Sequence, residues 1–137
     1  MASKAALQQF MNAMKTAKNF EKIAQHFTVV TAGNGSIKCT MPVLKEHLNG
    51  MGSLHGGCTA TIIDCVSSYG FVTADDGKPG VSVDMSISYI GAAKLGDTIT
   101  IESTGLKTKG SIRFADIIIT NQDGKLIAKA SHTKAMK

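Results

Sequence analysis

A single carboxylate, Asp64, interrupts the stretch GGCTATIIDCVSSYGFVT at residues 56–73, which is otherwise without charge. The run is long and apolar enough for a core helix, and an ionised carboxylate buried there unpaired would cost several kcal/mol. It must be hydrogen-bonded, paired or protonated. Capping does not account for it, because Asp64 would lie two turns inside the helix. Helical neighbours offer no cation either, since positions 60, 61, 67 and 68 are Ala, Thr, Ser and Ser. Such a group suits general-base work on a proton, although a salt-bridged core acid would leave the same mark. A second chemical feature opens the run, where His55 precedes Gly56 and Gly57. The first amides of a helix lack intrahelical partners and sit at the positive end of its dipole. Glycines there let a ligand approach the backbone, so the segment could polarise a carbonyl and hold an oxyanion. A tight loop would read the same way.

Spacing constrains how the two features combine. Gly56 and Asp64 lie about 12 Å apart along a helix axis at 1.5 Å per residue, so one carbonyl carbon cannot be served by both from one chain. If both act on one substrate, the helix end of one subunit meets the mid-helix carboxylate of another.

The elements that must position these groups show in the periodicity. Leu7, Phe10, Met11 and Met14 follow helical spacing, with Gln8, Lys15 and Lys18 elsewhere on the surface, which predicts a helix over residues 4–24. It would cover one edge of the fold. Mitochondrial targeting is the rival reading, since the first acid is Glu21, but transit peptides favour arginine and this segment has none. HFTVVTA and SIKCTMPV on either side of Gly33-Asn34-Gly35 predict a hairpin. Pro42 ends its second strand, and LKEHLNGMGSL reads as a loop with one helical turn. The apolar helix follows, from about Gly56 to Thr73, and the turn residues of DDGKPG stop it. GVSVDMSISYI alternates, so Val81, Val83, Met85, Ile87 and Tyr89 are expected on one face and Ser82, Asp84, Ser86 and Ser88 on the other. DTITIESTGLK, SIRFADIIIT and KLIAKASHTKAM complete a set of antiparallel strands joined at TKG and NQDG. The expected class is α+β, one domain over 1–137, with a curved antiparallel sheet around one long helix. Because that helix is apolar nearly all round, its other side needs the N-terminal helix or a second subunit.

Composition excludes several alternatives. The chain has 137 residues, 43% hydrophobic and 18% charged, which is a soluble globular balance. No uninterrupted apolar run reaches the roughly 18 residues of a membrane span, and the first twenty residues lack the apolar core of a secretory signal. Cys58 and Cys65 would lie about 10.5 Å apart along the helix, too far for a disulfide, and neither they nor Cys39 have metal-ligand spacing. Three buried thiols, no metal and a reducing compartment are therefore expected, cytoplasmic or mitochondrial. The net charge of +5 comes from lysines and a single arginine, Arg113, and the balance is basic from Lys94 onward. This is either a solvated surface or a mild field for an anionic small molecule. With one arginine, no tryptophan and no recognised motif, nucleic acid is not the expected partner.

The string N-x-x-x-x-L-H-G-G-x-x-A-T-x-x-D over 49–64, followed by PGVSVDMSISY and AKLGD, resembles the hotdog-fold acyl-coenzyme A thioesterases. Within them it is most similar to the PaaI-like group that contains thioesterase superfamily member two. The likeness extends over nearly the whole chain, including the N-terminal helix and the closing GKLIAKASHTK. It implies a hotdog fold and hydrolysis of fatty acyl-coenzyme A to free acid and coenzyme A. The site would lie at the interface of a homodimer, with a dimer of dimers as the higher assembly. No cofactor is implied, coenzyme A being part of the substrate. On this likeness Asn49 and the Gly56 amide would hold and polarise the thioester carbonyl, and His55 would orient Asn49. Asp64 of a second subunit would be general base on a water that Ser82 helps to position. Without the likeness, Ser82 reads as a solvent-facing strand serine and His55 as a satisfied loop histidine. Coenzyme A would lie over Tyr89, Ile90, Gly91, Ala92, Ala93 and Lys94, and over Lys107, Thr108, Lys109, Gly110, Ser111 and Ile112. Lys94, Lys107, Lys109 and Arg113 would suit its phosphates. The family loop usually carries proline where this chain has Ala92, a departure that bears on the loop's stiffness. Ile62, Val66 and Tyr69 would line the acyl pocket. Two rivals share the fold. A non-catalytic acyl-coenzyme A binder would need no positioned water. A hydratase or dehydratase would need a histidine and an acid poised over Cα and Cβ, which His55 in LHGG does not offer.

Overall fold

The computed structural model describes residues 2–74, 77–107 and 109–136. Its first helix, α1 (Ala2–Lys15), buries Leu7 and Met14 and packs Phe10 and Met11 against the core. It ends at Lys15 and does not run to residue 24 as the sequence predicts. The apolar period lapses after Met14, because the next positions in phase are Ala17, Lys18 and Glu21. Asn19 then accepts the Glu21 amide on its side chain and starts a separate 3-10 helix, Phe20–His26. A hairpin follows, β1 (Thr28–Gly33) and β2 (Ser36–Pro42), closed by Asn34 and Gly35 at φ 55° and 86°. Asparagine and glycine reach this left-handed region at least cost, and the resulting twist suits a two-residue hairpin.

The long helix, α2 (Gly56–Val72), is followed by β3 (Val81–Tyr89), β4 (Thr98–Gly105), β5 (Ile112–Thr120) and β6 (Leu126–Ala135). All strand pairs are antiparallel, in the order β1-β2-β4-β5-β6-β3. Helix α2 packs on this sheet, and every residue from Ile62 to Val72 except Asp64 is buried. Ile62, Val66 and Tyr69 belong to that core and do not line an open acyl pocket; the Tyr69 ring stands 5.2 Å from Phe10 and 6.3 Å from Phe27. Their i, i+4, i+7 spacing gives them one face, and it is the face that the rest of the chain covers. None of the helices among the described residues is long and apolar enough to cross a membrane.

Strand β3 is a sheet edge, and its pairing with β6 slips between Ser82, opposite Lys134, and Asp84, opposite Thr133. In such a β-bulge two residues oppose one, which resets the alternation. Ser82 therefore shares a face with Met85 and Ile87, whereas Val81 and Val83, expected there, are 60% and 62% exposed. At the opposite end of α2, a Cβ added to Gly70 would lie 3.1 Å from the Gly35 carbonyl oxygen, and one on Gly105 would lie 2.6 Å from it. Thr73 Oγ1 accepts the Gly35 amide at 2.9 Å beside them. Helix, hairpin and β4 thus meet backbone to backbone, an approach that only glycine permits.

Candidate active site

The start of α2 and the loop before it form one group of polar atoms. His55 caps the helix, its Nδ1 accepting the Gly57 amide at 2.8 Å. The Gly56 amide donates to no protein group among the described residues and so faces outward at the positive end of the dipole. Asn49 Oδ1 accepts the amides of Met51 at 2.9 Å and Ser53 at 3.1 Å. These two bonds orient the side chain, a role the family likeness gave to His55, which makes no hydrogen bond to Asn49. With Oδ1 occupied, Asn49 Nδ2 is left as a donor. Asn49 and Gly56 line one cavity of about 350 Å³ with Tyr89, Ile90, Gly91, Ala92 and Ala93. Tyr89 donates its hydroxyl to the Gly56 carbonyl at 3.2 Å, tying the end of β3 to the helix start. The loop with Ala92 in place of proline is held by other means. The Ile90 and Gly91 amides both donate to Ile127 O, Ala93 O accepts the Leu54 amide, and Lys94 bridges to Ser53.

A second polar group lies further along α2 and does not reach this cavity. Ser67 donates to Ile63 O at 2.7 Å, so its oxygen must accept from His132 Nδ1, also at 2.7 Å. That bond assigns the hydrogen of the imidazole to Nδ1. His132 Nε2 then carries the lone pair, and Ser82 Oγ, 2.8 Å away, donates to it. The lone pairs of Ser82 are thereby turned outward. His132 Nε2 lies 3.9 Å from Asp64 Oδ1, so Asp64 and Ser82 flank one imidazole edge. The Asp64 side chain is 51% exposed and not sealed in the core as its surroundings in sequence suggest. Burial holds the His132 imidazole below its ordinary range and outweighs the Asp64 carboxylate, which pulls it up; Lys134 lowers it further and Asp84 raises it. The neutral form that accepts from Ser82 is thus the favoured one.

His132, beside Asp64 and Ser82, is a candidate site residue that sequence reasoning missed, and Lys134 is a second buried titratable group on the same strand. The signal was present, because both stand in phase with Ala128 and Ala130 on β6, on the face that alternation assigns to the interior. Two titratable groups at buried strand positions call for an explanation.

Lys107, Lys109, Gly110, Ser111 and Ile112 lie at the β4–β5 turn and do not line the 350 Å³ cavity. Lys94, Lys107 and Lys109 are exposed, and Arg113 Nη1 donates to Gly110 O at 2.9 Å. Thr108 lies outside the described residues. The three cysteines are free, and Cys58 is half-buried where full burial is expected. Burial pushes the Cys39 and Cys65 thiols up to about 12 and Cys58 to about 11, which leaves none of them a nucleophile near neutrality. His26, Glu46 and His47 bring potential metal ligands within 4.8 Å of one another. His47 Nδ1, however, accepts the Leu44 amide at 3.0 Å, which puts the hydrogen on Nε2 and leaves no lone pair for an ion.

Comparison with known proteins identifies the family. A model of the thioesterase superfamily matches residues 51–128. Human acyl-coenzyme A thioesterase 13 is 43% identical over 130 residues, 94% of this chain and 93% of its own. The crystal structure of zebrafish thioesterase superfamily member 2 superimposes with a TM-score of 0.90 at 39% identity, covering 96% of both chains. A hypothetical thioesterase of Streptococcus pneumoniae, solved with coenzyme A, superimposes at 0.76 with 28% identity, covering 82% of this chain and 90% of its own. The chain belongs to the thioesterase superfamily and has the hotdog fold.

Proposed function

We propose that the protein hydrolyses fatty acyl-coenzyme A to free acid and coenzyme A by general-base activation of water, at a site completed by a second copy of the chain. The observation that carries this reading is the division of one chain's groups into two halves. Asn49 and the free Gly56 amide are suited to a carbonyl, whereas Asp64 and the outward lone pairs of Ser82 are suited to a water. Along one helix the halves stand about 12 Å apart. A two-fold axis that sets the start of one α2 against the middle of the other joins them twice, and the open β3 edge with exposed Val81 and Val83 offers the surface for it. A dimer of dimers would add a further interface without altering this sharing.

In that arrangement the thioester oxygen sits between Asn49 Nδ2 and the Gly56 amide, which bind it more strongly as it becomes an oxyanion. Asp64 and Ser82 hold the water, and Asp64 takes its proton as the oxygen attacks the carbonyl carbon. Collapse of the tetrahedral intermediate breaks the carbon–sulfur bond, and the coenzyme A thiolate takes the proton from Asp64. The coenzyme lies over residues 89–94 and the β4–β5 turn, where Lys94, Lys107 and Lys109 face its phosphates. The three free thiols suit a reducing compartment, cytoplasmic or mitochondrial. A non-catalytic binder on the same fold would have no use for a serine whose lone pairs are fixed by a buried imidazole.

The test is release of coenzyme A from saturated acyl-coenzyme A substrates of graded length, followed with a thiol reagent. Wild-type protein is expected to release thiol. Asp64→Asn is expected to stay folded, to bind substrate and to turn over at least ~10²-fold more slowly. Near-normal turnover by a folded Asp64→Asn protein would sink the mechanism, and binding without release by the wild type would identify the binder.

A further inference from the structure

Lys134 has no part in the mechanism above, yet only 5% of its surface is exposed. Burying a lysine charge costs several kcal/mol unless it is compensated, and an apolar residue in its place is often neutral or stabilising. Its compensation here is thin. Nζ donates to Ser68 Oγ at 2.6 Å, the one hydrogen bond it makes among the described residues. Ser68 leads directly to the base: its Oγ donates to the Asp64 carbonyl oxygen at 2.7 Å and lies 3.5 Å from Asp64 Oδ1.

We propose that Lys134 is a positioning residue for hydrolysis: its ammonium, seated on the Ser68 hydroxyl that grips the Asp64 carbonyl oxygen, holds the Asp64 turn of α2 where the carboxylate takes a proton from water. The inference rests on Asp64 being the base. By occupying an acceptor site of Ser68, Lys134 fixes where the single hydroxyl proton points, which is to the Asp64 carbonyl oxygen at 2.7 Å and not to the carboxylate, so what is held is the turn of α2 that carries Asp64. The ammonium also supplies positive charge beside the Asp64 carboxylate. The charged and titratable groups facing Lys134 are Asp64 and Cys65 on α2, Glu21 on the 3-10 helix and His132 on its own strand. Its cross-strand neighbour on β5 is Arg113, whose Nη1 turns away to Gly110 O. Cys65, pushed up to about 12, stays a neutral thiol, and burial keeps His132 neutral. The positive charge at this point is therefore that of Lys134. Burial lowers its proton affinity below the ordinary lysine range, outweighing Asp64, Cys65 and Glu21, which raise it.

Lys134→Met and Ser68→Ala, singly and together, test the inference on the full-length protein with a saturated acyl-coenzyme A. Each single variant is expected to lose about tenfold or more in kcat with KM within about twofold of wild type, since neither residue touches substrate. The double variant should be little worse than either, because both break one chain of contacts. Wild-type kcat should decline on the alkaline side below the ordinary lysine range as Lys134 loses its proton, and this decline should be absent in Lys134→Met. That variant should unfold at the same temperature as wild type or higher. Wild-type kcat in both single variants, or a loss that follows thermal stability with the alkaline decline intact, would overturn the proposal. Should Lys134→Met fail to fold, Ser68→Ala carries the test, keeping the lysine and removing the bridge. Asp64→Asn measured alongside separates the two levels. If it stays active, the base assignment fails; if it is dead while Lys134→Met and Ser68→Ala turn over normally, this inference alone fails.

Discussion

His132 is the residue on which the orientation of Ser82 depends, because its neutral Nε2 is what the Ser82 hydroxyl donates to. Protonation at Nε2 would turn Ser82 from donor to acceptor and take one of its lone pairs away from the water. Because burial lowers the pKa of His132, the neutral ring survives as pH falls through the ordinary histidine range. Activity should therefore persist across that range and be lost below it. Stability follows the same sign: the unfolded chain takes the proton first, so stability declines as pH drops from the ordinary histidine value towards the lower folded one. His132→Ala should lower kcat by about 10- to 100-fold with little change in KM, measurable by steady-state kinetics across pH. Asp64 stands out in the sequence as the sole charge in its run, yet the burial that its surroundings predict is not found. Sequence shows an apolar helix; it does not show that one chain leaves the Asp64 side of that helix half open.

At the scale of elements, most boundaries follow from local pattern, and the exceptions have local physical causes. The Asn34-Gly35 turn and the start of α2 lie where turn and cap chemistry puts them. The run of α1 was overextended because helix-forming residues continue past Lys15 while the apolar period does not. The bulge in β3 was invisible, since VSVDM alternates in sequence and the slip arises only in pairing with β6. It decides which way Ser82 points, so the candidate site was less legible than the strand that carries it. The β4–β5 turn carries its own prediction. Lys107 and Lys109 are exposed there, away from the carbonyl cavity, so any hold on a phosphate would be shared by ground and transition states. Lys107→Gln with Lys109→Gln should raise KM for acyl-coenzyme A far more than it lowers kcat, and the effect should shrink as salt is added. A KM indifferent to both the substitutions and salt would place the coenzyme elsewhere.

For the whole molecule, the sequence showed α+β, an antiparallel sheet and a central helix, but strand order only in part. β3 follows α2 in the chain yet pairs with β6, the last strand, and pairing between distant segments leaves no local mark. The division of polar groups between the two ends of one helix gives the prediction at this scale. Asn49→Ala and Asp64→Ala, each inactive alone, should recover about a quarter of wild-type activity when unfolded and refolded together in equal amounts. Random pairing makes about half the dimers mixed, and each mixed dimer has one site with both groups intact. Coenzyme A release by the mixture, with dimer content followed by gel filtration, checks the fraction. Mutants that pair freely yet stay dead would mean that both groups serve one chain.

The contact of Gly35, Gly70 and Gly105 leaves the far end of α2 with no compressible padding. A methyl at 105 would stand 2.6 Å from the Gly35 carbonyl oxygen, and its nearest neighbours are all backbone atoms of Gly35, which cannot swing aside. Something rigid must move, and α2 carries Gly56 at its other end and Asp64 at its middle. Gly105→Ala should therefore cost about 1–3 kcal/mol by thermal unfolding and also depress kcat, as though it were a substitution beside the substrate. The alignment error tolerated at the thioester is thus set in part by two missing methyl groups, at 70 and 105, at the opposite end of the rod.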